Sequence, residues 1–444
     1  MQRRYLIKQG LSAALATSPL LQGAYGQAER ALHPAPTPRL PESFTHSLAK
    51  ARVVVVGGGY AGATASKYLS LLSNRQIQVT LIEPDAQFIS CPLSNLVIGG
   101  SKQMSYITKS YEQLQKNHGT RVVKDWVTSI DPSSRKVFTR SGLIFPYDEL
   151  IVSPGVELMY SSIEGLLQAK SEGSILQAWS AGEETLKLRA QLESMKDGGV
   201  FAITVPELPY RCPPAPYERA SQIAYYFKNF KPKSKVIILD ANQDVTSKGV
   251  LFKKFWMNNY PDHLEYRADH KVLEVDGKTN TLKFEIQEDL SAQVLNVLPP
   301  MRAGAIAAQT GLANINKRWC EVDFLSFEST VAPHIHVLGD AIQAGPYMPK
   351  SAHMANAHAK VAAAAIISKL CAFEVNPHPF LTNTCYSFVD PHQAIYIASV
   401  HQYDSVEKTF KILPNAGGMS AQPSKEDGDF ALGWAQNIWA DSLT

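Results

Sequence analysis

Four consecutive valines, Val53, Val54, Val55 and Val56, form an uninterrupted apolar run that breaks at Gly57-Gly58-Gly59. A run apolar on both faces predicts a strand buried inside a parallel sheet. Residues 61–72 follow without a proline and predict a helix, and residues 77–82 give a second apolar strand that leads into an acid, Glu83. Gly57, Gly59 and Gly62 fit the spacing G-x-G-x-x-G. The first glycine permits a tight turn, the second lets backbone approach a pyrophosphate, and the third lets the helix pack closely on the strand. The phosphates would then meet a helix N-terminus, and Glu83, twenty-one residues after Gly62, would take the ribose hydroxyls.

The pattern recurs once in altered form. Residues 199–205 read GVFAITV, a second buried strand, with a helix predicted over 219–230 and a further strand over 235–240. Where a second glycine fingerprint would stand, residues 206–219 read PELPYRCPPAPYER. Prolines remove amide donors and fix the backbone, so this turn cannot wrap a pyrophosphate. No nicotinamide cofactor is expected, and Cys212 becomes the candidate reactive group of the second half.

Later stretches return to the first half. Residues 147–155, YDELIVSPG, read as a strand and turn, with Ser153 and Gly155 as candidate cofactor contacts. Residues 336–340, HVLGD, end another strand in Gly339-Asp340, a place where flavoproteins of this architecture bind a ribityl hydroxyl through the carboxylate. Met348-Pro349-Lys350-Ser351 then leads into an alanine-rich helix whose N-terminus could face a flavin carbonyl and stabilise its anionic reduced form. Lys350 is grouped with these contacts. The reading is an α/β chain with two Rossmann-like dinucleotide-binding domains, residues 51–165 with 300–371 and residues 166–299. Residues 372–444 form a C-terminal α+β domain with several strands and a short final helix carrying Trp434 and Trp439, of which Trp434 is expected to close over the flavin pocket.

Composition changes the picture at the N-terminus. Residues 1–28 carry a basic start (Arg3, Arg4, Lys8), an apolar stretch and small residues at Ala24, Gly26 and Ala28. That is the pattern of an export signal, and its QRRYLIK start resembles the twin-arginine type that carries folded, cofactor-loaded proteins into the periplasm. Without those three cations the net charge of +3 becomes about zero, so nothing points to nucleic acid, and no later run is long and apolar enough to predict stable membrane insertion. Residues 29–50, rich in proline, read as a linker. The five cysteines, Cys91, Cys212, Cys320, Cys371 and Cys385, are an odd number for an oxidising compartment, and none sits in a C-x-x-C spacing, so neither haem attachment nor a zinc site is expected. His334 and His336 alternate about Ile335 and read as an exposed strand face rather than a metal site.

At this point several stretches resemble the flavoprotein subunit of flavocytochrome c sulfide dehydrogenase, from about Arg52 to the C-terminus. They are CPLSNLVIGG from Cys91, CPPAPYERAS from Cys212, LPPMRAG from Leu298, WCEVD from Trp319, MPKS from Met348 and NTCYS from Asn383. The resemblance implies a glutathione reductase-like fold with FAD held covalently by Cys91 through an 8α-thioether, which accounts for the odd cysteine. It implies a redox disulfide between Cys212 and Cys320 that sulfide attacks, with Glu218 managing a proton; a structural disulfide and a solvated helix-start carboxylate are the alternatives. It also implies that electrons pass to FAD and then to a separate c-type cytochrome subunit in a heterodimer. Cys371 and Cys385, with thirteen residues between them, could close a structural loop. Competing readings are a sulfide:quinone oxidoreductase, a non-catalytic flavoprotein accessory of a sulfur-oxidising complex, and an NADH dehydrogenase that the missing second fingerprint disfavours.

Overall fold

The computed structural model describes Leu48 and residues 51–444. The export signal expected in residues 1–28 and the linker expected in 29–50 fall outside the described residues, Leu48 excepted.

Strand β1 (Arg52–Val56) carries the valine run, each valine no more than 5 % exposed. It lies in mid-sheet, where both of its faces and both of its edges are covered. Helix α1 (Tyr60–Leu72) turns its alanines and Gly62 inward, and β2 (Gln78–Glu83) pairs parallel with β1. No side chain caps α1, so its first amides remain free to meet an anion. The short helix α2 (Ser94–Gly99) follows Cys91, and β3 (Glu149–Val152) takes the other edge of β1 in parallel.

A second, four-stranded parallel sheet is built on β4 (Val200–Val205). Helix α3 (Ala215–Phe230) begins four residues earlier than expected, inside the proline run, because Pro214 is its N-cap and Pro216 falls in the first turn, where an amide donor is not needed. Strand β5 (Lys235–Asp240) pairs parallel with β4. The chain then returns with β6 (Ile335–Val337), parallel beside β3, and with helix α4 (Ala352–Leu370). The C-terminal part is an antiparallel sheet of β7 (Phe380–Phe388), β8 (Ala394–Asp404) and β9 (Thr409–Met419), followed by α5 (Lys425–Leu443). Instead of a short helical pattern, α5 has 19 residues and docks on the first domain: Ser442 accepts from Thr64 of α1 at 2.9 Å, and Asp441 pairs with Lys360 of α4 at 2.8 Å.

The expectation of an exposed face for His334 and His336 is corrected. His336 is fully buried, because β6 is an interior strand with β3 on one side and residues 328–329 on the other. Glu149 receives both histidines, at 2.9 and 3.1 Å, and Lys369 from the end of α4. Burial opposes ionisation of Glu149, yet His336, His334 and Lys369 together hold its carboxyl at about 2. A depressed carboxylate contributes its stability in full above its unfolded pKa, about 4.5, and loses it as pH falls toward 2. The difference in urea midpoint between wild type and Glu149→Gln, large at pH 6, is therefore expected to close across that window. A difference independent of pH would contradict the assignment.

Candidate active site

The three glycines of the first turn differ in what surrounds them. A Cβ on Gly62 would lie 1.8 Å from the Gly57 carbonyl oxygen, and one on Gly57, where φ is +94°, would lie 2.5 Å from the Ser153 carbonyl oxygen. These two glycines permit the turn and the helix contact. A Cβ on Gly59 would meet nothing within 4 Å, so that position borders open space above the helix N-terminus. Ser153 pins the turn by donating to the Gly57 carbonyl at 2.9 Å. Glu83 accepts the Gly58 amide at 2.5 Å, and burial raises its pKa. Gly155 has φ of +63° and open space about it, while Gly339 (φ +73°) lets its turn lie against Ala61 and Ala355.

Asp340 follows that turn, and its Oδ1 is buried with no hydrogen-bond partner among the described residues. Burial raises its pKa against the opposing charges of Arg211 and Lys350. A buried, unpaired carboxylate oxygen calls for a hydroxyl donor. Together with the cradle that a Cβ on Gly59 would fill, these residues fit a flavin dinucleotide. Lys350 sends its ammonium to the carbonyls of Asp340, at 2.9 Å, and Ile342, at 2.6 Å, over the Trp319 ring. It braces the turn instead of facing outward. Trp434 packs on His353 at the start of α4 and on Tyr386, while Trp439 donates to Tyr60, whose hydroxyl bonds Ser90 beside Cys91.

The second half-site is filled by protein. Asp240, the acid that ends β5 where Glu83 ends β2, accepts from Tyr217 at 2.6 Å, from Tyr266 at 3.1 Å and from Asn242 at 2.8 Å. Two tyrosine hydroxyls and an amide thus bond this carboxylate.

All five cysteines are free thiols in this structure. Cys212 has left-handed backbone (φ +57°), and its amide donates to the Lys350 carbonyl at 2.8 Å. Burial raises its thiol strongly, and the next contributions come from Cys385 and Glu218, opposed by Arg211 and Lys248. Glu218 is buried, not solvated: it accepts from Asn95 at 2.8 Å and from the Phe388 amide at 2.8 Å, and burial raises its pKa. Lys248 donates to the Cys385 carbonyl at 2.9 Å and to the Ser387 hydroxyl at 2.8 Å. Arg211 lies within charge reach of Cys91, Asp340 and Cys212.

Two cysteine pairings are corrected by this arrangement. Cys320 lies at the other end of Lys350 from Cys212, since its backbone bridges to Ile342, which accepts the lysine ammonium, whereas Cys212 meets the lysine's own carbonyl. Burial pushes Cys320 up to about 12, and Lys350 alone offsets this, with no thiol contributing. The thiol that shares the surroundings of Cys212 is Cys385. Nor can Cys371 reach Cys385: Cys371 caps the C-terminal end of α4, while the neighbours of Cys385, Asn383 and Thr384, bond Ser351 and His353 at its N-terminal end. The helix puts roughly 28 Å between those ends, against a limit of about 7 Å for bridged Cα atoms.

Sequence reasoning missed Arg211, Lys248, Asn95 and the placement of Cys385. Arg211 stood in the quoted proline stretch beside Cys212, whereas Lys248 sits in a polar loop with no signature.

The chain matches the family model for the central part of the sulfide dehydrogenase (flavocytochrome c) flavoprotein chain over residues 185–299. It matches the flavocytochrome c sulfide dehydrogenase flavin-binding model over 377–443 and the pyridine nucleotide-disulfide oxidoreductase model over 51–192. It is 56 % identical over 46 residues to the sulfide dehydrogenase (flavocytochrome c) flavoprotein chain of Chlorobaculum thiosulfatiphilum, covering 94 % of that sequence and 10 % of this one. It is 25 % identical over 306 residues to the mitochondrial sulfide:quinone oxidoreductase of Dictyostelium discoideum, covering 65 % of each chain. The chain thus spans 65 % of the length of that curated relative, and the same share of the corresponding mouse protein. In fold it is similar to the sulfide:quinone oxidoreductase structure from Aquifex aeolicus, with a TM-score of 0.73, 18 % identity, and coverage of 88 % of this chain and 91 % of that one. The chain belongs to the flavocytochrome c sulfide dehydrogenase flavoprotein family, on the pyridine nucleotide-disulfide oxidoreductase fold.

Proposed function

We propose that this chain is a periplasmic sulfide-oxidising FAD enzyme, exported by its twin-arginine signal, that opens a Cys212–Cys385 disulfide with sulfide and passes electrons to a c-type cytochrome subunit. The observation that carries the reading is the meeting of two half-buried thiols with a buried carboxylate and a buried ammonium, within charge reach of Arg211, which also faces Asp340 and Cys91. Hydrosulfide attacks one sulfur of the disulfide; a new S–S bond forms, the old one breaks, and the electron pair leaves on the other cysteine. Glu218, held by Asn95 and the Phe388 amide, is placed to take or return a proton.

Gly57, Gly59, Gly62 and Glu83 would hold the dinucleotide of FAD, Asp340 a ribityl hydroxyl, and Cys91 the thioether that retains the cofactor outside the cell. When bound, FAD supplies a two-electron sink beside the thiols. The filling of the second half-site by Tyr217 and Tyr266 supports electron delivery by sulfide and not by a nicotinamide.

A second reading is a quinone acceptor, favoured by the likeness to sulfide:quinone oxidoreductases. The two flavocytochrome-type matches favour the cytochrome, and among the described residues no helix is long and apolar enough to cross a membrane. The mature protein is expected to turn over sulfide with an oxidised c-type cytochrome and not with a short-chain quinone; the reverse preference would overturn the acceptor. Acid precipitation is expected to leave FAD with wild-type polypeptide and release it from Cys91→Ala. Release from both would remove the covalent link.

A further inference from the structure

The ammonium beside the two thiols is given no part in the steps above. Lys248 ends a loop of the second domain and is the N-cap residue of the helix Gly249–Asn259, with left-handed backbone at φ +57°. A residue with a Cβ is strained there, and glycine or asparagine would suit the turn better. The side chain points inward and is buried, and its ammonium is held by the Cys385 carbonyl at 2.9 Å, the Ser387 hydroxyl at 2.8 Å and the Ile395 carbonyl at 3.4 Å. Those acceptors fix the ammonium on the stretch of β7 that carries Cys385. The same stretch binds Glu218 of α3 through the Phe388 amide at 2.8 Å. The titratable groups that face the ammonium are Cys385 from β7, Glu218 from α3 and Cys212 from the turn before α3. Burial lowers its pKa to about 8, so it is still mainly charged at neutral pH.

We propose that Lys248 is a positioning residue whose buried ammonium is the counter-charge of the Cys212–Cys385 pair, balanced by Glu218 while the pair is closed and stabilising the thiolate when the pair opens. This rests on the reading of the pair as redox-active. In the closed state the Lys248 ammonium faces the Glu218 carboxylate, and Arg211 is a second cation beside Cys212. When hydrosulfide bonds to one cysteine sulfur and the S–S bond breaks, one negative charge appears on the other cysteine, and no outside oxidant is needed. A thiolate formed in a site this buried requires a cation or a proton donor. Lys248 supplies a cation on the Cys385 side of the pair, where its ammonium is held by the Cys385 carbonyl.

The test compares wild type, Lys248→Met and Lys248→Arg as full-length flavoproteins. Each is reduced and then alkylated with iodoacetamide across pH, with every cysteine followed by peptide mass spectrometry. Separately, sulfide is added anaerobically to the oxidised forms. Lys248→Met is expected to slow alkylation of Cys212 about ten-fold at pH 7, equivalent to a profile moved up by about one pH unit. Cys320 should be unchanged and Lys248→Arg within a few-fold of wild type. Profiles of Lys248→Met that superimpose on wild type would overturn the proposal. If Lys248→Met does not fold, Glu218→Gln replaces it: loss of the competing carboxylate should speed alkylation of Cys212, and an unchanged rate would overturn the proposal equally. If sulfide opens no disulfide in wild type while the alkylation shift persists, the counter-charge stands and the redox reading of the pair fails.

Discussion

Cys212→Ser and Cys385→Ser are each expected to abolish sulfide-dependent reduction of the protein, while Cys320→Ser keeps it within a few-fold of wild type. A disulfide has no half-strength form: removing either sulfur removes the bond that hydrosulfide attacks. The expected loss is on the order of 10⁴-fold or more, the scale on which deletion of a group that acts as part of a unit falls. Local surroundings favour Cys385 over Cys320. Cys385 stands among the groups that oppose ionisation of Cys212, and it lies on the strand that also receives Lys248 and Glu218. Cys320 is fully buried behind Lys350, with Trp319 under the same ammonium. Rapid-mixing measurements of sulfide reduction, with dithionite reduction as a control for cofactor loading, separate the three variants. A dead Cys320→Ser beside an active Cys385→Ser would restore the Cys212–Cys320 pairing.

The second large effect concerns two glycines three residues apart. Gly62→Ala is expected to destabilise the fold by about 3 kcal/mol or more, since overpacking a site that cannot relax is among the costlier single changes. Its Cβ would lie 1.8 Å from the Gly57 carbonyl oxygen, which belongs to the turn itself, and 2.7 Å from the Ser153 hydroxyl that pins it. The carbonyl, a backbone group between β1 and α1, cannot move without shifting one against the other. Gly59→Ala should fold with wild-type stability, because its φ of −65° suits alanine and nothing lies within 4 Å of the new Cβ. That methyl instead enters the space above the α1 amides, and the purified protein is expected to carry little FAD. Urea denaturation and flavin content read the two effects apart. A stable, flavin-loaded Gly62→Ala would contradict the packing argument, and a fully loaded Gly59→Ala would contradict the cradle.

Much of the fold was legible because it depends on short-range pattern. The valine run, the glycine spacing and the acid at Glu83 lie within one 32-residue unit, and the structure places them in β1, in the turn before α1 and at the end of β2. The loss of glycines before Cys212 was equally local, and Asp240 occupied by Tyr217 and Tyr266 is its structural counterpart. What failed was long-range. His334 and His336 alternate as an exposed face would, but whether a strand has one covered face or two is decided by its neighbours, and β6 has both. The cysteine pairs depended on which end of α4 meets β7, and nothing in the spacing of Cys371 and Cys385 encodes that. Lys248 could not be found from its loop, since its role comes from a strand 137 residues away.

The Cys212–Cys385 pair is the centre of the proposed chemistry, and one peptide map tests it directly. Oxidised, full-length flavoprotein is unfolded in denaturant, alkylated and digested without reductant, before and after one anaerobic equivalent of sulfide. The prediction is a Cys212–Cys385 cross-linked peptide that disappears on adding sulfide and is replaced by one added sulfur atom on one of those two cysteines, with Cys320 alkylated throughout. A Cys212–Cys320 cross-link, or a Cys212–Cys385 cross-link that sulfide leaves intact, would contradict it.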